Sequence, residues 1–162
     1  MRAGAGTPVW DRVFVMVVQF LFVGILVVGG LDAGRYTWTS LPLWFQAAGL
    51  IFMIAGIVLL AWAMGQNPHF EATVRIQADQ NHRVIETGPY RIVRHPGYVA
   101  GIVLFIGTAL VLNSAWALLP AILSAATLVA RTWAEDRFLH ENLDGYRKFA
   151  RRTRYRLVPG IW

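Results

Sequence analysis

Apolar residues run almost unbroken through "VFVMVVQFLFVGILVVGGL", Val13 to Leu31. About 20 residues at about 1.5 Å each cross a hydrocarbon core of about 30 Å. The segment therefore predicts a first transmembrane helix, retained rather than cleaved as a signal peptide. Gln19 is its one strongly polar residue, and a hydrogen bond to a neighbouring helix is the expected use. "DAGRYTWTSLP", Asp32 to Pro42, supplies breakers and interfacial aromatics. A second span follows, Leu43 to Met64, with Gly49 and Gly56 placed for close helix packing. The apolar signal returns from Tyr98 to Ala130, interrupted at Asn113–Ser114. That run is too long for one span. Asn and Ser favour turns, so it predicts a tight hairpin with arms Tyr98–Leu112 and Ala115–Ala130.

Between the second span and the hairpin lies a polar connector, Gly65 to Pro96. Pro68, Gly88, Pro89 and Pro96 forbid one continuous helix there. "ATVRIQ" has the pattern of a short extended piece. Alternating apolar residues and Tyr90 mark the connector as an ordered loop. From Arg131 onward, Trp133, Phe138, Leu139, Leu143, Tyr146 and Phe149 recur at helical spacing against Arg and Glu. This predicts an amphipathic tail helix. The expected fold is all-α: a polytopic membrane protein of about four transmembrane helices, with a short C-terminal helical hairpin and an amphipathic cytosolic tail helix. It forms a single domain over 1–162, divided into two N-terminal spans (1–64), connector (65–97), hairpin (98–130) and tail (131–162).

Composition strengthens the membrane reading. Of 162 residues, 56% are hydrophobic and 15% charged, against about a quarter charged in soluble domains. The net charge is +6. The basic residues flank apolar runs, which argues for the positive-inside bias and anionic headgroups rather than nucleic acid. Connector and tail hold most of the arginines, whereas the first loop holds only Arg35. Both therefore face the cytosol, and four spans place the N- and C-termini there together. With no cysteine, disulfides, Cys-ligated zinc, iron–sulfur clusters and a cysteine nucleophile are excluded. His69, His82, His95 and His140 lack metal-ligand spacing, so no metal is expected. Neither GxGxxG after a strand nor GxSxG occurs.

The candidate chemistry sits where the connector enters the hairpin, "GPYRIVRHPGYVAG", and where the hairpin leaves it, "RTWAED". The antiparallel arms bring these two segments to one membrane face. Arg131 and Glu135 are four apart and share a helix face, where a simple ion pair is the plain expectation. His95 and Tyr98 start the other arm. Arg91 and Arg94 taken alone are expected to meet lipid phosphate. Gly97 and Gly101 form a GxxxG, suited to helix contact or to leaving room for a ligand. Ionisable groups at the bilayer boundary are costly and mark function.

"NHRVIETGPYRIVRHPGYVAG", the apolar hairpin, "RTWAEDRFL" and "YRKFARRTRYRLVPGIW" together resemble the isoprenylcysteine carboxyl methyltransferase family, to which phospholipid N-methyltransferases are related. The resemblance runs from near Gln77 to the end. It implies S-adenosylmethionine bound on the cytosolic side by connector and hairpin. His82, Arg83, Val84 and Ile85 would line the cofactor, with Gln77 a further contact. Tyr90 would touch it, His95, Pro96, Gly97 and Tyr98 would form the central wall, and Glu135 would hold its polar end. Arg131 would face a lipid-like methyl acceptor: a carboxylate such as isoprenylcysteine, or else a phospholipid amine or small thiol. Arg131 and Glu135 are thus the catalytic pair that the resemblance implies. The chain departs from the family's paired glutamates at Asp136, shorter by one methylene. Two other classes share parts of the pattern: sterol reductases that bind NADPH, and non-catalytic lipid-binding membrane proteins.

Overall fold

The computed structural model describes residues 8–71, 73 and 84–162. Among these, all regular structure is helical: α1 (Val9–Leu31), α2 (Leu43–Gln66), α3 (Pro96–Val111), α4 (Leu118–Asn142) and α5 (Tyr146–Arg152). A π-helical turn, Asp32–Tyr36, extends α1, and a 3₁₀ turn, Gly88–Arg91, precedes α3. The "ATVRIQ" segment lies outside the described residues.

Two helical segments, Val9–Tyr36 and Leu43–Gln66, are long and apolar enough to cross a bilayer. Only 11% and 17% of their most apolar stretches are buried inside the protein. Phe20, Val23 and Val27 of α1 and Ile51, Ile57 and Val58 of α2 point outward. A soluble core helix would turn these side chains inward, so the apolar surface is built for lipid. Gln19 is exposed on α1 rather than set between helices.

The helices run up and down. Asp11 near the start of α1 meets Arg131 of α4, and Asp32 past its end meets Ser114 before α4. α1 and α4 are therefore antiparallel. Asn113 takes a left-handed conformation at the hairpin turn, φ 56°, and its side chain accepts a bond from the Leu41 N–H at 2.9 Å. Ser114 accepts from the Ala117 N–H at 3.0 Å, closing the turn.

α2 and α3 pack backbone to backbone. A Cβ on Gly107 would lie 2.7 Å from the Met53 nitrogen and 2.9 Å from the Gly49 oxygen. Gly56 meets the Ala100 oxygen and Leu104 in the same way. Gly107→Ala is expected to cost about 1–3 kcal/mol through overpacking, read as a lowered melting temperature in detergent. Gly30→Ala, where a Cβ meets nothing within 4 Å, is the control.

α4 differs from expectation. The hairpin arm and the first part of the tail are one unbroken helix across 130–131, because no breaker lies between Pro120 and Gly145. The interruption comes at Gly145, φ 84°, a conformation that favours glycine. The residues expected to form one tail helix are instead divided between the end of α4 and the short α5. α4 carries Arg131, Glu135 and Asp136 rigidly on a helix whose earlier turns are apolar.

Candidate active site

The local sequence dictates how the connector closes onto the tail. Gly88, at φ 57°, lets the chain turn into the 3₁₀ segment, and the ring of Pro89 fixes its own φ within that turn. The Tyr90 hydroxyl thereby reaches back to α2: it donates to the Ala63 oxygen at 3.4 Å and accepts from Asn67 at 3.3 Å. Burial raises the Tyr90 pKa, partly offset by the Asn67 bond. The Arg94 and His95 N–H groups donate to the carbonyls of Tyr155 and Arg156 at 2.9 and 3.0 Å. Pro96 then opens α3 at a position where its missing N–H costs nothing.

Asp136 is the hub of the arrangement and is 2% exposed. It accepts a fork from Arg94, Nε at 2.8 Å and an Nη at 3.2 Å. Arg156 donates at 2.9 Å, and so does the Tyr146 hydroxyl. His95 Nε2 lies 3.5 Å from the same carboxylate and 3.3 Å from the Tyr146 oxygen. Burial alone would raise the Asp136 pKa. Its bonds to His95, Arg156 and Arg94, with the charge nearby, reverse this and hold the carboxyl far below its usual range. Tyr146 is pushed well up, first by burial and then by the Asp136 charge. Arg94 also donates to the carbonyls of Thr153 and Arg154 at 3.0 and 2.8 Å. Arg94 is therefore an internal brace and not a lipid-phosphate contact, while Arg91 remains exposed.

Glu135, one residue earlier, faces the other way. It accepts the Tyr98 hydroxyl and stands 3.8 Å from His95 Nδ1. The His95 and Tyr98 rings stack at 12°, centroids 5.7 Å apart. Val84, Ile85, Tyr90, His95, Pro96, Gly97, Tyr98 and Glu135 all line one cleft. Asn67 and Phe70 from the end of α2, and Leu139, Leu143 and Phe149 from the tail, complete the wall. Gly97 lets the Phe70 ring approach α3 closely: a Cβ would meet that ring at 2.8 Å. The GxxxG is thus divided, with Gly97 against Phe70 and Gly101 against Leu128 of α4.

Arg131 is placed differently. It does not line the cleft but lies over the Tyr98 ring, 5.2 Å from its centroid. Its Nε and one Nη reach the same Asp11 oxygen, each at 2.9 Å. Gln77, His82 and Arg83 lie outside the described residues. Sequence reasoning missed Asp11, Tyr146 and Arg156, and left Asp136 without a role. An acidic residue opening an apolar span, in "VWDRVF", is the signal that pointed to Asp11.

A cleft that combines the Glu71 and Glu135 carboxylates, the Arg94 guanidinium, the Asn67 amide and aromatic and aliphatic side chains fits a ligand that is part apolar, part polar. A model of the phospholipid methyltransferase family matches residues 44–144. Two proteins named "probable protein-S-isoprenylcysteine O-methyltransferase", from Oryza sativa subsp. indica and subsp. japonica, are each 34% identical over 71 residues. That stretch is 43% of this chain and 37% of each relative, so the match spans little more than a third of their length. The family match takes in nearly all of α2, the connector and the whole α3–α4 hairpin, whereas α1 and α5 fall outside it.

Proposed function

The chain belongs to the phospholipid methyltransferase family, and from that premise we propose that it transfers a methyl group from S-adenosylmethionine to a lipid-like acceptor at the bilayer surface. The observation that carries this reading is the convergence of Val84, Ile85, Tyr90, His95–Tyr98 and Glu135 on one cleft. These are the positions that the motif resemblance assigns to the cofactor.

When bound, the donor supplies an electrophilic methyl carried on a sulfonium. The residues present fit such a group. Glu135 offers the anionic contact for its amino or ribose groups. Phe70, Leu139 and Leu143 offer apolar surface, and Gly97 lets Phe70 pack closely into the wall. Methyl transfer is an in-line displacement, so the protein's work is to position both partners and to shape the field around them. Tyr98 fixes Glu135 and carries Arg131 over its ring, which links the cofactor cleft to the acceptor side.

The acceptor we favour is a carboxylate such as that of isoprenylcysteine, in line with the named activity of the two rice relatives. Such a group is already ionised near pH 7 and needs no general base. Arg131 is the cation that would orient it. The proposed topology has four spans, both termini in the cytosol and the cleft on that side. α3, at about 24 Å, is shorter than the hydrocarbon core and keeps the cleft near the headgroups.

Calorimetry with S-adenosylhomocysteine on the detergent-purified protein tests the reading, with NADPH as control. Micromolar binding of the former alone is the expected result. Binding of NADPH alone would move the protein to the reductases, and binding of neither to a non-catalytic lipid-binding role.

A further inference from the structure

The entrance to α3 and the end of the chain lie side by side. Besides the bonds from the Arg94 and His95 N–H groups to the carbonyls of Tyr155 and Arg156, the Thr153 hydroxyl donates to the Tyr90 carbonyl at 3.1 Å. The last residues then fold back on themselves, with the N–H groups of Arg156 and Leu157 donating to the Trp162 carbonyl at 2.9 and 3.1 Å. Val93 and Leu157 are buried where these segments meet.

What the two segments leave outside is an uncommon mixture for a surface in water. Ile92 is 54% exposed and Ile161 81%, and Tyr155 and Val158 are exposed as well. Arg91 and Arg154, each next to one of these apolar residues in sequence, are also exposed. Neither guanidinium has an ion-pair or hydrogen-bond partner among the described residues, whereas Arg152 is paired with Glu86 at 2.7 Å. α5 adds charge of the same sign. Tyr146 and Phe149 take its buried face, and its exposed positions, Arg147, Lys148, Arg151 and Arg152, are all basic.

Cations among exposed aliphatic and aromatic side chains suit a bilayer interface, where the apolar groups enter the headgroup–acyl boundary and the cations meet phosphate. Nucleic acid would use the cations and leave Ile92 and Ile161 in water. Position argues the same way. Ile92 lies four residues before Pro96, where the apolar helix α3 begins, and the backbone bonds hold residues 155 and 156 at that same entrance.

We propose that the surface formed by residues 91–92 and 154–161 binds anionic phospholipid headgroups of the bilayer in which the protein sits. The proposal needs the membrane reading of α1 and α2 but no methyl donor, so it stands apart from the proposed reaction. It bears on the cleft all the same. The carbonyls of residues 153–156 hold Arg94 and His95, and both of these line the cleft. Bound lipid and cleft wall thus share one stretch of backbone.

The chain has no cysteine, so Ile161→Cys offers one thiol for an environment-sensitive fluorophore. The labelled full chain is placed, one copy per disc, in nanodiscs of phosphatidylcholine alone or with about 30% phosphatidylglycerol. Acrylamide quenching reads the exposure of the label, because a neutral quencher is not repelled by a charged bilayer. Each cation near an anionic surface strengthens attachment about fivefold, so phosphatidylglycerol is expected to lower quenching by about threefold or more. Raising the salt to about 0.5 M is expected to reverse the protection. Arg91→Gln together with Arg154→Gln is expected to abolish it at low salt. Both side chains are exposed, so the fold is not at stake. A label at Glu141, ten residues and about 15 Å beyond Arg131 along α4, is expected to be quenched equally in both discs. Equal quenching of the residue 161 label in the two compositions would overturn the proposal and turn the search to a soluble acidic partner. So would protection that survives the double substitution, or that appears equally at Glu141. A chain that enters neither disc fails the membrane reading, and the proposal with it.

Discussion

Asp136→Asn is expected to destabilise the protein by about 3–5 kcal/mol, the usual cost of removing one partner from a buried ion pair. Arg94 and Arg156 would then face a neutral amide, and the Tyr146 hydroxyl would lose an anionic acceptor. The loss should appear as a large fall in melting temperature in detergent, together with loss of S-adenosylhomocysteine binding. Asp136→Glu separates charge from shape: if it recovers most of the stability, the charge is what matters. The pH dependence has a definite sign. The folded Asp136 pKa lies below its ordinary value of 3.8, so its contribution is complete above about pH 4 and is lost as pH falls further. Tyr146 acts at the other end. Its folded pKa lies above the ordinary 10.0, so its contribution is present below about pH 10 and lost as pH rises beyond it. A melting temperature flat from pH 3 to 6 would show that Asp136 does not carry this charge.

Glu135→Ala is the second large effect, and it falls on binding rather than on the fold. Glu135 is the anionic group on the cleft wall that the Tyr98 hydroxyl holds in place. Losing a charged hydrogen-bond acceptor for the cofactor is expected to weaken S-adenosylhomocysteine by about 100-fold. The melting temperature without ligand should change little by comparison. Glu135→Gln, which keeps the shape and the acceptor oxygen, should fall between. Unchanged affinity in Glu135→Ala would remove Glu135 from the cofactor site and leave Tyr98 without its proposed purpose.

The reach of the sequence can be judged at these same residues. The helices were legible because an apolar run of about 20 residues has few alternatives. The turn at Asn113–Ser114 was legible because Asn tolerates the left-handed conformation that it adopts. The positions that gather at the cleft were named through the family resemblance that the motif carries, not through local backbone geometry. The continuity of α4 through residues 130–131 was not legible, because the change from apolar to amphipathic composition there reads like a boundary. Helix continuity depends on the absence of a breaker, not on composition. The partners of Arg131 and Arg94 were also hidden. Sequence spacing offers Glu135 as a neighbour for Arg131, whereas the structure turns Arg131 to Asp11 on another helix. A guanidinium's choice among distant carboxylates is set by tertiary packing, which no local pattern records.

The brace between connector and tail has a consequence for how the protein is made. Arg94 and His95 obtain their backbone partners, and Arg94 two of its side-chain partners, from residues 153–156. On a ribosome, α1, α2 and the α3–α4 hairpin emerge first. The buried arginine then waits, its carbonyl partners not yet synthesised, until more than fifty further residues have been added. The site is therefore finished only once residues 153–156 have been made. A nascent chain halted within α5 would already hold Arg94 and Asp136 but lack the carbonyls of Thr153 and Arg154 that complete the brace.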